Sequence, residues 1–309
     1  MKTEADGTGR EGAKVTRLQA WILASRPRTL TAAAAPVILA SGLALGRDAF
    51  RLPPALAALV GALLIQIGTN LANDYYDHVR GGDTEDRVGP LRVTQAGLIP
   101  PGTVRNATFL VLGVAFLVGL YLVWVGGWPV VVIGVASLVC AVAYTGGPYP
   151  LAYHGLGDLF VFVFFGLVAV GGTYWVQALT LPPQVLLAGA GMGAFNTAIL
   201  VVNNLRDLET DALAGKRTLA VRLGPTGTKV ELFLLVVAAL LVPVAGILLY
   251  GWPAWSLLSL AGLLPLSRVA GTVLAFGPED HPGVLIPPLG ATARAAGLYG
   301  LLLGAGLAL

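Results

Sequence analysis

Charge is scarce in this chain. Of 309 residues only 19 are lysine or arginine and 16 are aspartate or glutamate, 11% together, where a water-soluble globular protein carries about 25%. That excludes a solvated surface of ordinary extent. Cysteine is scarcer still: Cys140 stands alone inside an apolar run, which excludes a disulfide framework and leaves it as a small buried hydrophobe. The three histidines, His78, His154 and His281, are scattered, so no zinc site is legible. What fills the chain instead is apolar, 56% of it hydrophobic with a mean hydropathy of +0.79. The composition is that of an all-α integral membrane protein. The first residues, 1–19, form a polar, basic tail with no cleavage site before the apolar stretch that starts at Leu30, which argues against a secretory leader.

Apolar runs long enough to cross about 30 Å of hydrocarbon predict nine helices, over 20–46, 54–78, 104–125, 128–145, 156–179, 184–205, 228–250, 253–276 and 290–309. Gly126-Gly127, Gly146-Gly147-Pro148, Pro182-Pro183, Gly251-Trp252-Pro253 and Pro287-Pro288 punctuate the gaps. Pro36, Pro243 and Pro265 fall inside spans, which requires neighbours to satisfy the carbonyls they free. Residues 20–309 thus read as one transmembrane domain with polar cap loops at 79–103 and 206–227.

Basic residues choose an orientation. Fifteen of them lie on one face: Lys2, Arg10, Lys14, Arg17, Arg26 and Arg28 before or at helix one, Arg80, Arg87, Arg92 and Arg105 after helix two, and Arg206, Lys216, Arg217, Arg222 and Lys229 after helix six. Arg47 and Arg51 lie on the other, with Arg268 and Arg294 in or near spans. The positive-inside rule makes the first face cytoplasmic and, in a bacterial cell, predicts a multi-pass protein of the inner membrane with its N-terminus in the cytoplasm. Attraction to anionic lipid accounts for such charge, so the net +3 gives no reason to expect nucleic acid.

The few acids are concentrated. Eight of the 16 fall in NLANDYYDHVRGGDTEDRVGP (70–90) and NNLRDLETDALAGKRTLAVRLG (203–224). Asn70 and Asp74 precede Asn203 and Asp207 by 133 residues, four spans apart, which suggests two parallel four-helix repeats plus one helix. Steps of three and four put Asn70, Asp74 and Asp77 on one helical face and Asn203, Asp207 and Asp211 on another. Stacked carboxylates repel; divalent cations relieve that, and hard oxygen ligands suit Mg2+. Lys216, Arg217, Arg222, Arg80, Arg87 and Arg92 nearby add what a bare cation site does not need and a diphosphate does. A solvated loop is the plainer account of any single charge, and of Asp83, Glu85, Asp86 and Glu209 as much as a ligand role.

These motifs resemble the UbiA-type superfamily of intramembrane prenyltransferases, whose N-D-x-x-D and D-x-x-x-D signatures correspond to Asn73-Asp74-Tyr75-Tyr76-Asp77 and Asp207-Leu208-Glu209-Thr210-Asp211. Where most members place a third acid four residues after the first motif, this chain has Gly81 and reaches an acid only at Asp83. That departure, with GLGDLFVFVFFGLVAVGGTYWVQ (155–177), is similar to the branch acting on 1,4-dihydroxy-2-naphthoate in menaquinone synthesis. The resemblance implies a nine-helix bundle around a central cavity open to lipid.

It implies a mechanism as well. Asp74, Asp77, Asp207 and Asp211, with Asp83 as a further candidate, would hold Mg2+ against a polyprenyl diphosphate, supported by Asn70, Asn73 and Asn203. Lys216, Arg222 and Arg80 would neutralise the leaving group. Tyr75, Tyr76, Tyr144, Tyr149 and Tyr174 are candidates to face an allylic cation, although interfacial anchoring explains each tyrosine alone. Arg28 or Arg26 would take the acceptor carboxylate, and Asp158 is either a helix-start partner or a substrate-site acid. His154 is read as solvated. No obligate protein partner is implied. Related acceptors (4-hydroxybenzoate, homogentisate, chlorophyllide, haem) are the alternatives within the superfamily. A cation-coupled transporter is the rival of another class, disfavoured because its site belongs at mid-membrane whereas these acids close helices.

Overall fold

The computed structural model describes residues 15–81, 88, 89 and 91–309. Helices α1 (Arg17–Ser25) and α2 (Pro27–Leu45) replace the single first span expected from sequence. Pro27 is the reason: it has no N–H to donate and disfavours helical backbone in the residue before it, and Arg26 turns left-handed at φ 50. A capping box holds the start of α1, Thr16 Oγ1 accepting from the Gln19 N–H and Gln19 Oε1 from the Thr16 N–H. Next come α3 (Leu52–Val79), α4 (Pro101–Gly126) and α5 (Trp128–Ala143).

The fifth expected span is continuous from Gly157 to Ala178 but built in three parts: α6 (Gly157–Phe162), a π-helical turn (Val163–Val168) and α7 (Ala169–Ala178). Helix α8 (Pro183–Arg206) is followed by the short α9 (Leu208–Leu213), which lies inside the stretch 206–227 expected to be a cap loop. The stretch α10 (Leu219–Tyr250) is two helices end to end: Gly224, at φ 68 and ψ 178 ahead of Pro225, is not helical, so the long helix starts at Pro225, close to the expected 228. A 3-10 segment (Ala254–Leu263), α11 (Leu264–Ser267) and α12 (Ala270–Ala275) follow, then α13 (Ile286–Ala308). Pro287 and Pro288 sit in the first turn of α13, where a missing N–H costs nothing, so they open a helix rather than precede one.

Among the described residues seven helices are long and apolar enough to cross a membrane, and Trp128–Ala143 and Ala254–Ser267 are shorter apolar helical segments in the fourth and eighth expected positions. The second of these gains length from its 3-10 stretch, which rises about 2.0 Å per residue against 1.5 Å in an α-helix. Arg268 ends it, exposed at the break before α12, and is not buried within a span.

Prolines inside spans find their partners. Pro36 frees the carbonyl of Ala32, and Asn196 Nδ2 donates to it at 3.2 Å while also serving Phe165 O, 3.1 Å away in the π-helical turn. Pro243 frees Ala239 O, which accepts from the Tyr299 hydroxyl at 2.9 Å. Pro265 needs no such help, because it stands in the first turn of α11. Around these contacts lies the main core, where Leu39, Met192, Phe195, Tyr299 and Leu303 are fully or almost fully buried. Helices α2 and α13 touch at their backbones: a Cβ on Gly42 would lie 2.2 Å from Gly304 O.

Candidate active site

The last turns of α3 and α8 face one cavity of about 1140 Å³. Asn73 and Asp77 of α3, Asn203 of α8, Asp207 between α8 and α9, Asp211 of α9 and Lys216 just beyond it line its polar end. Away from that end the walls are apolar, with Leu122, Val123, Val135, Phe164 and Val168 among them. Ala58 and Asp77 both line the cavity from α3, 19 residues apart, so it follows the bundle for about 28 Å at 1.5 Å per residue.

Two asparagine–aspartate pairs at a spacing of four stand in this cavity, Asn73 with Asp77 and Asn203 with Asp207. Each aspartate is held by an arginine. Arg92 Nη2 donates to Asp77 Oδ2 at 2.8 Å, and the Tyr153 hydroxyl donates to Asp77 Oδ1 at 3.2 Å. Arg206 grips Asp207 with two bonds, Nε to Oδ1 at 2.7 Å and Nη2 to Oδ2 at 2.6 Å, and Nη2 also reaches Asn203 Oδ1 at 2.9 Å. Thr145 Oγ1 donates to Asn73 Oδ1 at 2.8 Å. The match across the two segments is therefore 130 residues, not the 133 that paired Asn70 and Asp74 with Asn203 and Asp207.

Lys216 Nζ stands 3.4 Å from Asp211 Oδ1. Burial alone would lower its ammonium, but Asp211, Asp77 and Asp207 more than offset that and raise it, so acids from α3, α9 and the junction between α8 and α9 act on one lysine. Asp211 is pushed up to about 6, first by burial, which Lys216 partly counters, and then by Asp207 and Asp77. Its Oδ2 is buried with no hydrogen-bond partner. Tyr153 lies between cations, with Arg80 and Lys216 each 5.6 Å from its ring centre, and burial and Asp77 raise its phenol well above the usual range. Burial and the carboxylates of Asp158, Asp211 and Asp77 raise that of Tyr144 likewise. Both hydroxyls are therefore donors at any working pH.

Other expected residues divide. Asn70, Arg28, Tyr144 and Asp158 line the cavity. The amide of Asn70 is already used, donating to Ser25 O at 2.9 Å and Thr29 Oγ1 at 3.0 Å, where it ties α3 to the α1–α2 break. Arg80 stands at the rim and donates to Gly147 O. Arg222 does not reach the cavity; its Nη2 donates to His154 O at 2.8 Å and its Nε to Arg217 O at 3.3 Å, fastening two loops. Tyr149 is exposed and stacks on His154 at 3.6 Å. Tyr75 and Tyr76 pack edge to face, outside the cavity lining. Asp74 is buried beside the cavity, not in it. Tyr174 is a correction: it belongs to the apolar core, 17 residues along the span from Gly157 and so about 25 Å from the charged end. Asp83 lies outside the described residues. Arg92, expected among the basic residues near the acids, makes the ion pair with Asp77, whereas Tyr153 and Arg206 are additions to the expected site, the one local signal for them being Arg206 adjoining Asp207.

The donor set fits a hard divalent cation. It offers carboxylate and amide oxygens, one of them an orphaned buried oxygen. Among the described residues no three acids close on a single point. Mg2+ does not require that, since it keeps waters and shares its shell with substrate phosphates.

Residues 33–280 match the model of the UbiA prenyltransferase family. The chain is 41% identical over 222 residues to the 1,4-dihydroxy-2-naphthoate octaprenyltransferase of Escherichia coli (strain K12), covering 70% of this chain and 72% of that protein. It is 33% identical over 283 residues to the enzyme of the same name from Bacillus subtilis (strain 168), covering 92% and 90%. Its fold is similar to that of a UbiA homolog from Archaeoglobus fulgidus bound to DMAPP and Mg2+, with a TM-score of 0.65 at 13% identity over 92% of this chain and 99% of that one. A spanning helical bundle with acids from two helix ends in one cavity, matched by that model over most of its length, places this chain in the UbiA prenyltransferase family.

Proposed function

We propose that the chain transfers a polyprenyl group from its diphosphate to 1,4-dihydroxy-2-naphthoate, releasing diphosphate and CO2, as a step of menaquinone synthesis. The observation that carries the reaction type is the convergence of Asp77, Asp207 and Asp211 with Lys216, Arg92 and Arg206 at the charged end of a long apolar cavity. The names of the relatives support the acceptor.

Asp77, Asp207 and Asp211 would hold Mg2+, with Asn73 and Asn203 beside them. Bound there, the metal would draw charge from the diphosphate oxygens and ease scission of the allylic C–O bond. Lys216 and the two arginines bind the remaining oxygens as the bonding pair leaves with the diphosphate. Tyr153 holds Asp77 in place and, with Tyr144, offers a ring face that carries no nucleophile. Ring electrons of the acceptor form the new C–C bond, and the pair left when its carboxylate departs as CO2 restores aromaticity. Arg28 is the cation for that carboxylate, and Asp158 is a buried acid that also lines the cavity. The apolar walls take the prenyl tail. Basic residues at this end orient it to the cytoplasm, with the protein in the inner membrane.

Purified protein with Mg2+, a labelled polyprenyl diphosphate and a panel of acceptors tests the reading. The naphthoate is expected to give a lipid-soluble product with one CO2 per diphosphate. Turnover of 4-hydroxybenzoate or homogentisate in its place would overturn the acceptor assignment.

A further inference from the structure

Asp74 belongs to the same motif as Asp77 yet does something else. On α3 it lies about 100° around the helix from Asn73, and it does not line the cavity; only 1% of its surface is exposed. Its two oxygens are divided between successive backbone amides of another segment, Oδ2 accepting from Val93 N–H and Oδ1 from Thr94 N–H, each at 3.1 Å. A carboxylate accepting such bonds is charge-assisted and directional.

The segment it grips is a compact turn. Ala96 N–H donates to Arg92 O and Leu98 N–H to Val93 O, both at 2.9 Å, and Val93 is wholly buried against Leu71, Ile99 and Val104. Clamped by Asp74 on its backbone and by Val93 in the core, the turn has little freedom to slide. Arg92 stands directly before the clamped amides, and its guanidinium lies 2.8 Å from Asp77 Oδ2 within the cavity wall.

We infer that Asp74 is a positioning residue and not a metal ligand: through the Val93 and Thr94 amides it aims Arg92 at Asp77 and at the diphosphate beside it. The inference rests on the metal–diphosphate reading of the cavity. It separates two acids three residues apart, assigning Asp77 to the metal and Asp74 to the arginine.

The test compares Asp74→Asn, Arg92→Ala, their double variant and Asp77→Asn. Asp74→Asn and Arg92→Ala are each expected to raise KM for the prenyl diphosphate about tenfold, the lower end of what loss of a supporting contact costs, with half-saturating Mg2+ changed less than about twofold. The double variant should be no worse than Arg92→Ala, because both act through one guanidinium. Hydrogen exchange, read without turnover, should quicken at the 92–99 segment in Asp74→Asn while α8 stays protected. Should Asp74→Asn fail to fold, Asp74→Glu keeps the charge, displaces the turn and carries the same comparison. A rise in half-saturating Mg2+ matching that of Asp77→Asn, or full additivity with Arg92→Ala, would overturn the inference. If Asp77→Asn itself leaves the Mg2+ requirement unchanged, the metal reading fails, while non-additivity between Asp74 and Arg92 would still register in KM.

Discussion

Lys216 answers at once to carboxylates from α3, from α9 and from Asp207 between α8 and α9, so its charge is not a local property of the loop that carries it. Removing any of those carboxylates unbalances the others. Asp77→Asn and Asp207→Asn are each expected to lower kcat by about 10² to 10³, the scale on which preorganised charge contributes, measured as diphosphate release at saturating substrate. Tyr153→Phe keeps the ring between Arg80 and Lys216 and loses only the bond to Asp77, so it should fall about tenfold; Tyr153→Ala should fall further. Asp211 supplies a pH signature. Its folded pKa of about 6 exceeds its ordinary value of 3.8, so between those values the folded protein holds a proton that the unfolded chain releases. In metal-free protein this group therefore costs stability as pH rises, in full above about 6. Melting in EDTA from about pH 4 to 6.5, which spans the two values, compared with Asp211→Asn, should show that slope flattened in the variant.

At the scale of the element, backbone groups freed by proline decide which side chains matter far from the chemistry. Asn196 serves Ala32 O and Phe165 O together, so Asn196→Leu strands two carbonyls in apolar surroundings. It should destabilise by about 1–3 kcal/mol, against about 1 kcal/mol for Tyr299→Phe, which strands only Ala239 O. Thermal melts in one detergent check the order. Gly42→Ala drives a methyl into Gly304 O and should lower the melting point more than Tyr299→Phe does. The same prolines show why element ends were partly misread. Pro287-Pro288 looks like a break along the chain, yet a first helical turn tolerates proline, whereas Pro27 and Gly224-Pro225 truly divide helices.

For the whole molecule, the lone Cys140 makes topology easy to measure, since one substitution gives a cysteine-free background. Cysteine placed at Ala214, in the turn after α9, should react with an impermeant reagent only from the cytoplasmic side of oriented vesicles, and cysteine at Asp48 only from the other. Labelling of both from one side would break the alternation of spans.

The amino-acid sequence by itself determined the solvent this protein occupies, the helical runs that cross it and the clustering of acids at two helix ends, because hydropathy, periodicity and charge are local and additive along a chain. Only the tertiary structure decided which acid of a motif meets the cavity. Asp74 and Asp77 differ by 60° about one helix axis, an angle that gains meaning from what each meets: the Val93 and Thr94 amides for one, the Tyr153 hydroxyl and the Arg92 guanidinium for the other. Those partners come from distant segments, and burial makes each contact strong enough to fix a side chain's role.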